Sequence, residues 1–107
     1  MIQHEQSLEK VLTNPYSGLN ILVLFREVIL MIFERLRAMV AVQFAISESL
    51  VTMETSFVDD LGADSLDAVD LIMAIEEEFY IPEVDEDTVN SLITVGDVVR
   101  FLSESID

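Results

Sequence analysis

Cysteine is absent from this sequence, which excludes a disulfide framework, a thiolate nucleophile and any thiolate metal site. Histidine occurs once, as His4 in the front segment, with no partner pattern around it. A Ser-His-Asp arrangement is therefore disfavoured, and His4 reads as a solvated surface residue. The three glycines are scattered, so no glycine-rich phosphate loop can be built. Long apolar runs are also missing. The longest, Ile21–Phe25 and Val28–Phe33, are separated by Arg26 and Glu27, and both fall far short of the roughly 20 residues that a membrane span needs. Basic residues nearly vanish after position 47, where Arg100 is the only one. The N-terminus MIQHEQSLEK lacks the basic-then-apolar order of a signal peptide, so export is not expected and a cytoplasmic location is.

What is present is acid, and all the excess lies in one part. Residues 1–47 hold four acids and four bases, whereas residues 48–107 hold 17 acids and one base, so the net charge of −16 belongs to the second part. Such a field repels nucleic acid and anionic membrane and speeds encounter with basic protein surfaces. About half the residues are apolar, enough to close a modest core in one domain of this length.

The apolar spacing predicts an all-α chain. A short helix is expected over Ile2–Leu12, then a turn at TNPYSGLN with Ser17 or Asn20 as a cap. From Leu19 to about Ala45 neither Gly nor Pro occurs. Ile21, Leu22, Phe25, Val28, Ile29, Ile32, Leu36, Met39 and Val40 fall on one side of that helix, and Val23, Leu24, Leu30 and Met31 add apolar surface to the other. A long loop follows, pinned by Leu50, Val51, Phe57 and Leu61. Asp64–Tyr80 reads as a second long helix with Asp64 as cap and Asp67 at the third helical position, ended by Pro82. Asp85–Leu92 predicts a short helix with an acidic first turn. Thr94–Ser105 predicts a last one burying Val95, Val98, Val99 and Leu102, with Thr94 as its cap.

Ser65 stands at the mouth of the second long helix, with no base to activate it. A helix start leaves backbone N–H groups unpaired and favours an anion, so a phosphate ester made there by another enzyme would be well placed. A serine that merely begins a helix is the plain alternative. DDLGAD lacks the ligand spacing of a calcium loop, and no specific metal site is expected, although so dense a carboxylate surface should bind divalent ions loosely.

DLGADSLD (Asp60–Asp67) followed by AVDLIMAIEEEF (Ala68–Phe79) resembles the signature of the acyl carrier proteins of dissociated fatty-acid synthesis. The likeness runs from about Met31 to the C-terminus. It implies a four-helix acyl-carrier bundle whose first helix is lengthened by an N-terminal extension, with residues 1–30 as the extension and 31–107 as the carrier domain. It also implies that Ser65 carries 4′-phosphopantetheine, donated from coenzyme A by a carrier-protein synthase (a phosphopantetheinyl transferase), with Asp64 and Leu66 completing the motif and Gly62 giving the tight approach.

Two departures accompany the likeness. Ile81-Pro82 comes close after Phe79, with Val84 interposed before the acids. Family chains also commonly begin near Met31, so the extension is additional. It is an early-start readthrough with Met31 as the working start, a docking segment for one partner, or, as we expect, a dimerising or domain-swapping helix packed on another copy, giving self-association through residues 19–45.

The resemblance further implies that the protein is no enzyme itself. Leu66, Val69 and Met73 would anchor partners, and Asp67, Asp70, Glu76, Glu77 and Glu78 would meet the basic patches of fatty-acid synthesis enzymes. Leu71, Ile72, Ile75 and Phe79 would wall a cavity for the acyl chain. A specialised carrier for polyketide, aminoacyl or other acyl cargo, or an unmodified acidic helical adaptor, remain the alternatives.

Overall fold

The computed structural model describes residues 17–105, with side chains from residue 21 onward. The expected helix over Ile2–Leu12 lies outside the described residues. Helix α1 spans Ser17–Phe44, α2 Ser65–Phe79, α3 Glu86–Ser91 and α4 Val95–Ser105, with one 3₁₀ turn at Glu48–Leu50. Among the described residues the only strand-like feature is one antiparallel bridge between Ser56 and Thr94. The all-α expectation holds. Asn20, offered as a cap, lies inside α1, which already begins at Ser17.

The core follows the helical spacing. Ile32, Leu36 and Val40 of α1, Leu71 and Ile75 of α2, and Val95, Val98, Val99 and Leu102 of α4 are buried together with Val51 of the loop. Each large aliphatic side chain so buried contributes about 1.5–3 kcal/mol. The closest helix packing is of α1 against α4 and α2, and α3 touches its neighbours only lightly.

The apolar stripe of α1 is buried over only part of its length. Ile21, Leu22, Phe25 and Val28 were expected on the same stripe as Ile32, yet they stay 40–67% exposed, as do Val23, Leu24, Leu30 and Met31. The reason is length. At 1.5 Å per residue α1 runs about 42 Å, whereas α2 and α4 run about 22 and 16 Å and cover only its downstream half. Even so, among the described residues no helix is long and apolar enough to cross a membrane.

Both long helices end on a non-glycine residue in the left-handed region, Ala45 and Tyr80, each at φ 54°. In each case the next amide reaches back five residues, Ile46 N–H to the Ala41 carbonyl at 3.0 Å and Ile81 N–H to that of Glu76 at 3.2 Å. Ile46 and Ile81 then pack against the core. That contact offsets the strain of a Cβ at positive φ.

The loop between α1 and α2 is tied at several points. Arg37 Nε donates to the Glu48 carbonyl at 2.9 Å, and buried Thr55 accepts the Thr52 N–H at 2.9 Å. Phe57 N–H meets the Ile93 carbonyl, Val95 N–H the Thr55 carbonyl, and Gly96 N–H the Met53 carbonyl at 2.8 Å. Of the four expected anchors, Val51 is buried and Phe57 and Leu61 are half-buried against the core. Leu50 is 64% exposed, a correction: it closes the 3₁₀ turn on the solvent side, and its neighbour Val51 takes the core position.

Candidate functional site

The approach to α2 is set by Gly62, whose φ of +66° suits a residue without Cβ. Its N–H bonds the Val58 carbonyl at 3.0 Å, and Ala63 N–H bonds that of Phe57 at 2.8 Å. The chain then enters the helix through a reciprocal cap. Asp64 Oδ1 accepts the Asp67 N–H at 2.8 Å, and Asp67 Oδ2 accepts the Asp64 N–H at 3.2 Å. Ser65, the first residue of α2, sits between them and is exposed. No described side chain holds its hydroxyl in a hydrogen bond, and each neighbouring carboxylate commits one oxygen to the cap.

Two hollows open beside Ser65. The first is a cavity of about 270 Å³ leading inward, lined by Ser65, Ala68, Leu71, Ile72, Ile75 and Val98 with Phe44 of α1 and Val89 and Asn90 of α3. The second, about 780 Å³, is an open groove between α2 and α3, bounded by Val69, Met73, Glu76, Val84 and Val89. A single hydroxyl thus adjoins a solvent groove and an apolar cavity. An exposed Ser at a helix start fits a phosphodiester on Oγ, and the cavity fits an apolar chain folded inward. Of the expected cavity wall, Leu71, Ile72 and Ile75 line the cavity, whereas Phe79 does not: it is half-buried against the core, with Arg35 over its ring.

Around the mouth, Leu66, Val69 and Met73 are 54–67% exposed. Val58 and Ile93 are equally exposed and also line the cavity. The sequence did not single out this pair, because both lie in loops without a period. The only signal available was that each precedes a cap or turn next to the site.

The acids are placed differently from one another. Asp70 and Glu77 are exposed, and Asp67 belongs to the cap. Glu78 pairs with Arg35 of α1 at 2.9 Å, and Arg35 also lies over the Phe79 ring at 5.8 Å. Glu76 accepts the Val84 N–H at 2.7 Å through Oε2. The carboxyl of Asp85, which caps α3, lies below its ordinary value because the Thr88 backbone N–H bonds it. Asp97 is lowered in the same way by the Thr94 N–H, opposed next by burial and helped further by the Ile93 N–H, the Thr94 hydroxyl and Arg100. Among the described residues no cluster of His, Cys, Asp or Glu is arranged to hold a metal ion.

Residues 34–102 match the family described as the phosphopantetheine attachment site. Proteins named acyl carrier protein from three strains of Clostridium perfringens (SM101, ATCC 13124 and 13) are each 49% identical to the chain over 72 residues, 67% of this chain and 93% of each relative.

Proposed function

Because this chain belongs to the acyl carrier proteins, whose prosthetic group is a covalent 4′-phosphopantetheine, we propose that Ser65 is the residue that carries it. The observation that supports this most is the free Ser65 hydroxyl at the start of α2, opening onto both the groove and the cavity. When bound, the group supplies a flexible arm ending in a thiol, on which acyl groups ride as thioesters. The protein's own residues do the rest. Asp64 and Asp67 present the hydroxyl, Leu66 completes the contact with the transferase, and the cavity walls shield the cargo from water. The activating base comes from the transferase, so the carrier needs none and is not an enzyme in its own right.

Fatty-acid synthesis in the cytoplasm is the setting we infer. Asp67, Asp70 and Glu77 around the apolar ring of Leu66, Val69 and Met73 suit enzymes with basic patches. Exposed ion pairs are individually weak and act chiefly on encounter rate and specificity, as a shuttle requires. Self-association through residues 19–45 is part of the same reading. The exposed upstream half of α1 contains only Arg26 and Glu27 as charges, so it steers neither a basic nor an acidic partner, and a second copy offers a matching apolar face.

The test is intact mass after incubation with coenzyme A, magnesium and a broad phosphopantetheinyl transferase. The parent is expected to gain one phosphopantetheinyl group and Ser65→Ala none. No gain in the parent, with a control carrier labelled in the same tube, would leave an acidic interaction module instead.

A further inference from the structure

Three consecutive acids leave α2 in three directions: Glu78 toward Arg35, Glu77 to solvent, and Glu76 back across the groove to the Val84 N–H. Val84 immediately precedes Asp85, the cap of α3. Residue 84 can donate because it is Val, whereas Pro82 has no N–H to give. Helix α3 is otherwise weakly held. It has six residues, none of them fully buried, and it stands apart from the close packing of α1, α2 and α4. Yet Val89 and Asn90 of α3, facing Ser65, Ala68 and Ile72 of α2, line both the cavity and the groove, so the two hollows meet along the seam of α2 and α3, and the position of α3 sets how open that seam is.

We propose that Glu76 is a positioning residue for the cargo: its carboxylate clamps the loop leading into α3 and so sets how readily a chain in the cavity is exposed to the groove. The cargo half of this proposal rests on the carrier reading; the clamp itself does not. Removing the acceptor leaves a half-buried N–H unpaired and frees the lead-in to α3. Hydrogen bonds to charged groups are strong enough that opening of this loop should rise about tenfold or more. A role in partner contact alone would leave the loop unaffected, and the charge of Glu76 rather than its bond would then matter.

Amide exchange on the full chain without its prosthetic group reads the clamp directly. In Glu76→Ala the Val84 amide is expected to exchange about tenfold faster or more. Glu76→Gln, whose neutral amide oxygen accepts the same bond more weakly, is expected to fall between the parent and Glu76→Ala. The Val95 amide, bonded to Thr55 at 2.9 Å, serves as the reference for global unfolding and should not change. An unaltered Val84 rate in Glu76→Ala, or equal loss in Glu76→Gln, overturns the clamp.

The second arm loads parent and variants with an octanoyl-phosphopantetheine and follows thioester cleavage by hydroxylamine. Cleavage is expected to be fastest in Glu76→Ala and intermediate in Glu76→Gln, and equal rates in all three overturn the cargo role. A parent that accepts no phosphopantetheine sinks the carrier reading and the cargo role with it, while the exchange result still decides the clamp.

Discussion

Asp64 and Asp67 hold each other's backbone across the first turn of α2, each carboxylate accepting the N–H of the other residue. The consequence is local. Asp64→Ala removes a cap worth about 1 kcal/mol and loosens the turn that presents Ser65. Chemical denaturation should show that loss, and transferase loading should slow without Ser65 being touched. A variant of parental stability and parental loading rate would mean that the cap does not position the hydroxyl.

Glu77 and Glu78 are neighbours with different duties. The Arg35–Glu78 pair is about half exposed on both sides, so Glu78→Gln should cost under about 1 kcal/mol. Glu77→Lys should leave stability unchanged and slow association with a basic partner, most clearly at low salt. Stopped-flow binding to the transferase at two ionic strengths checks this, and equal rates for Glu77→Lys and the parent would contradict it.

Two glycines constrain the chain for different reasons. A Cβ on Gly62 meets no atom within 4 Å, but its φ of +66° is costly for any other residue. Gly96 has an ordinary backbone, yet a Cβ there would stand 2.9 Å from the Met53 carbonyl oxygen. That carbonyl accepts the Gly96 N–H itself, so it cannot retreat without breaking the bond. Gly96→Ala should therefore destabilise by about 1–3 kcal/mol, read as a lowered Tm. A parental Tm would show that the loop yields freely.

Acid should weaken the cap of α4. The Asp97 carboxyl lies below the ordinary value of 3.8, so its contribution is fully present above that value and is lost as pH falls through the lower, folded-state value. Protonation of the other carboxylates relieves the repulsion of the −16 charge at the same time. The informative quantity is thus the stability difference between parent and Asp97→Asn. It should be constant from about pH 8 to pH 5 and shrink below about pH 4. A difference that changes near neutrality would contradict the assignment.

The exposed upstream half of α1 gives a prediction about mass. Light scattering should find the parent heavier than one 12.1 kDa chain, and the double variant Leu24→Glu, Phe25→Glu should return it to that mass. A parent of single-chain mass at about 100 μM, well above the micromolar range of modest association, would remove self-association from the reading.

Much of this architecture was legible from spacing, because each of α1, α2 and α4 has a helical period and packs closely on another of the three. Val95, Val98, Val99 and Leu102 could be assigned to the core without reference to anything else. The cap of α2 was equally readable, since its partners lie three residues apart. Legibility failed where a residue's fate depends on an element distant in sequence. Spacing does not tell Leu50 from Val51, because a loop has no period. Nor does it show that Glu76 meets Val84, Glu78 meets Arg35, and Glu77 meets neither. The downstream part of the α1 stripe was traced correctly, with Ile32, Leu36 and Val40 buried, but how far the bundle would cover the rest depended on the lengths of α2 and α4.

From Leu19 onward helix α1 runs without Gly or Pro, from the exposed upstream segment into the buried core, so the two behave as one lever. Were the upstream segment anchored in a second copy, as proposed, it would do more than join molecules. It would also limit the directions from which Ser65 can be approached and confine the mouth of the cavity to a shell around the anchor. Enzymes held within that shell would meet the site at an effective concentration set by geometry rather than by bulk amount. Enzymes outside it would have to wait for release of the anchor.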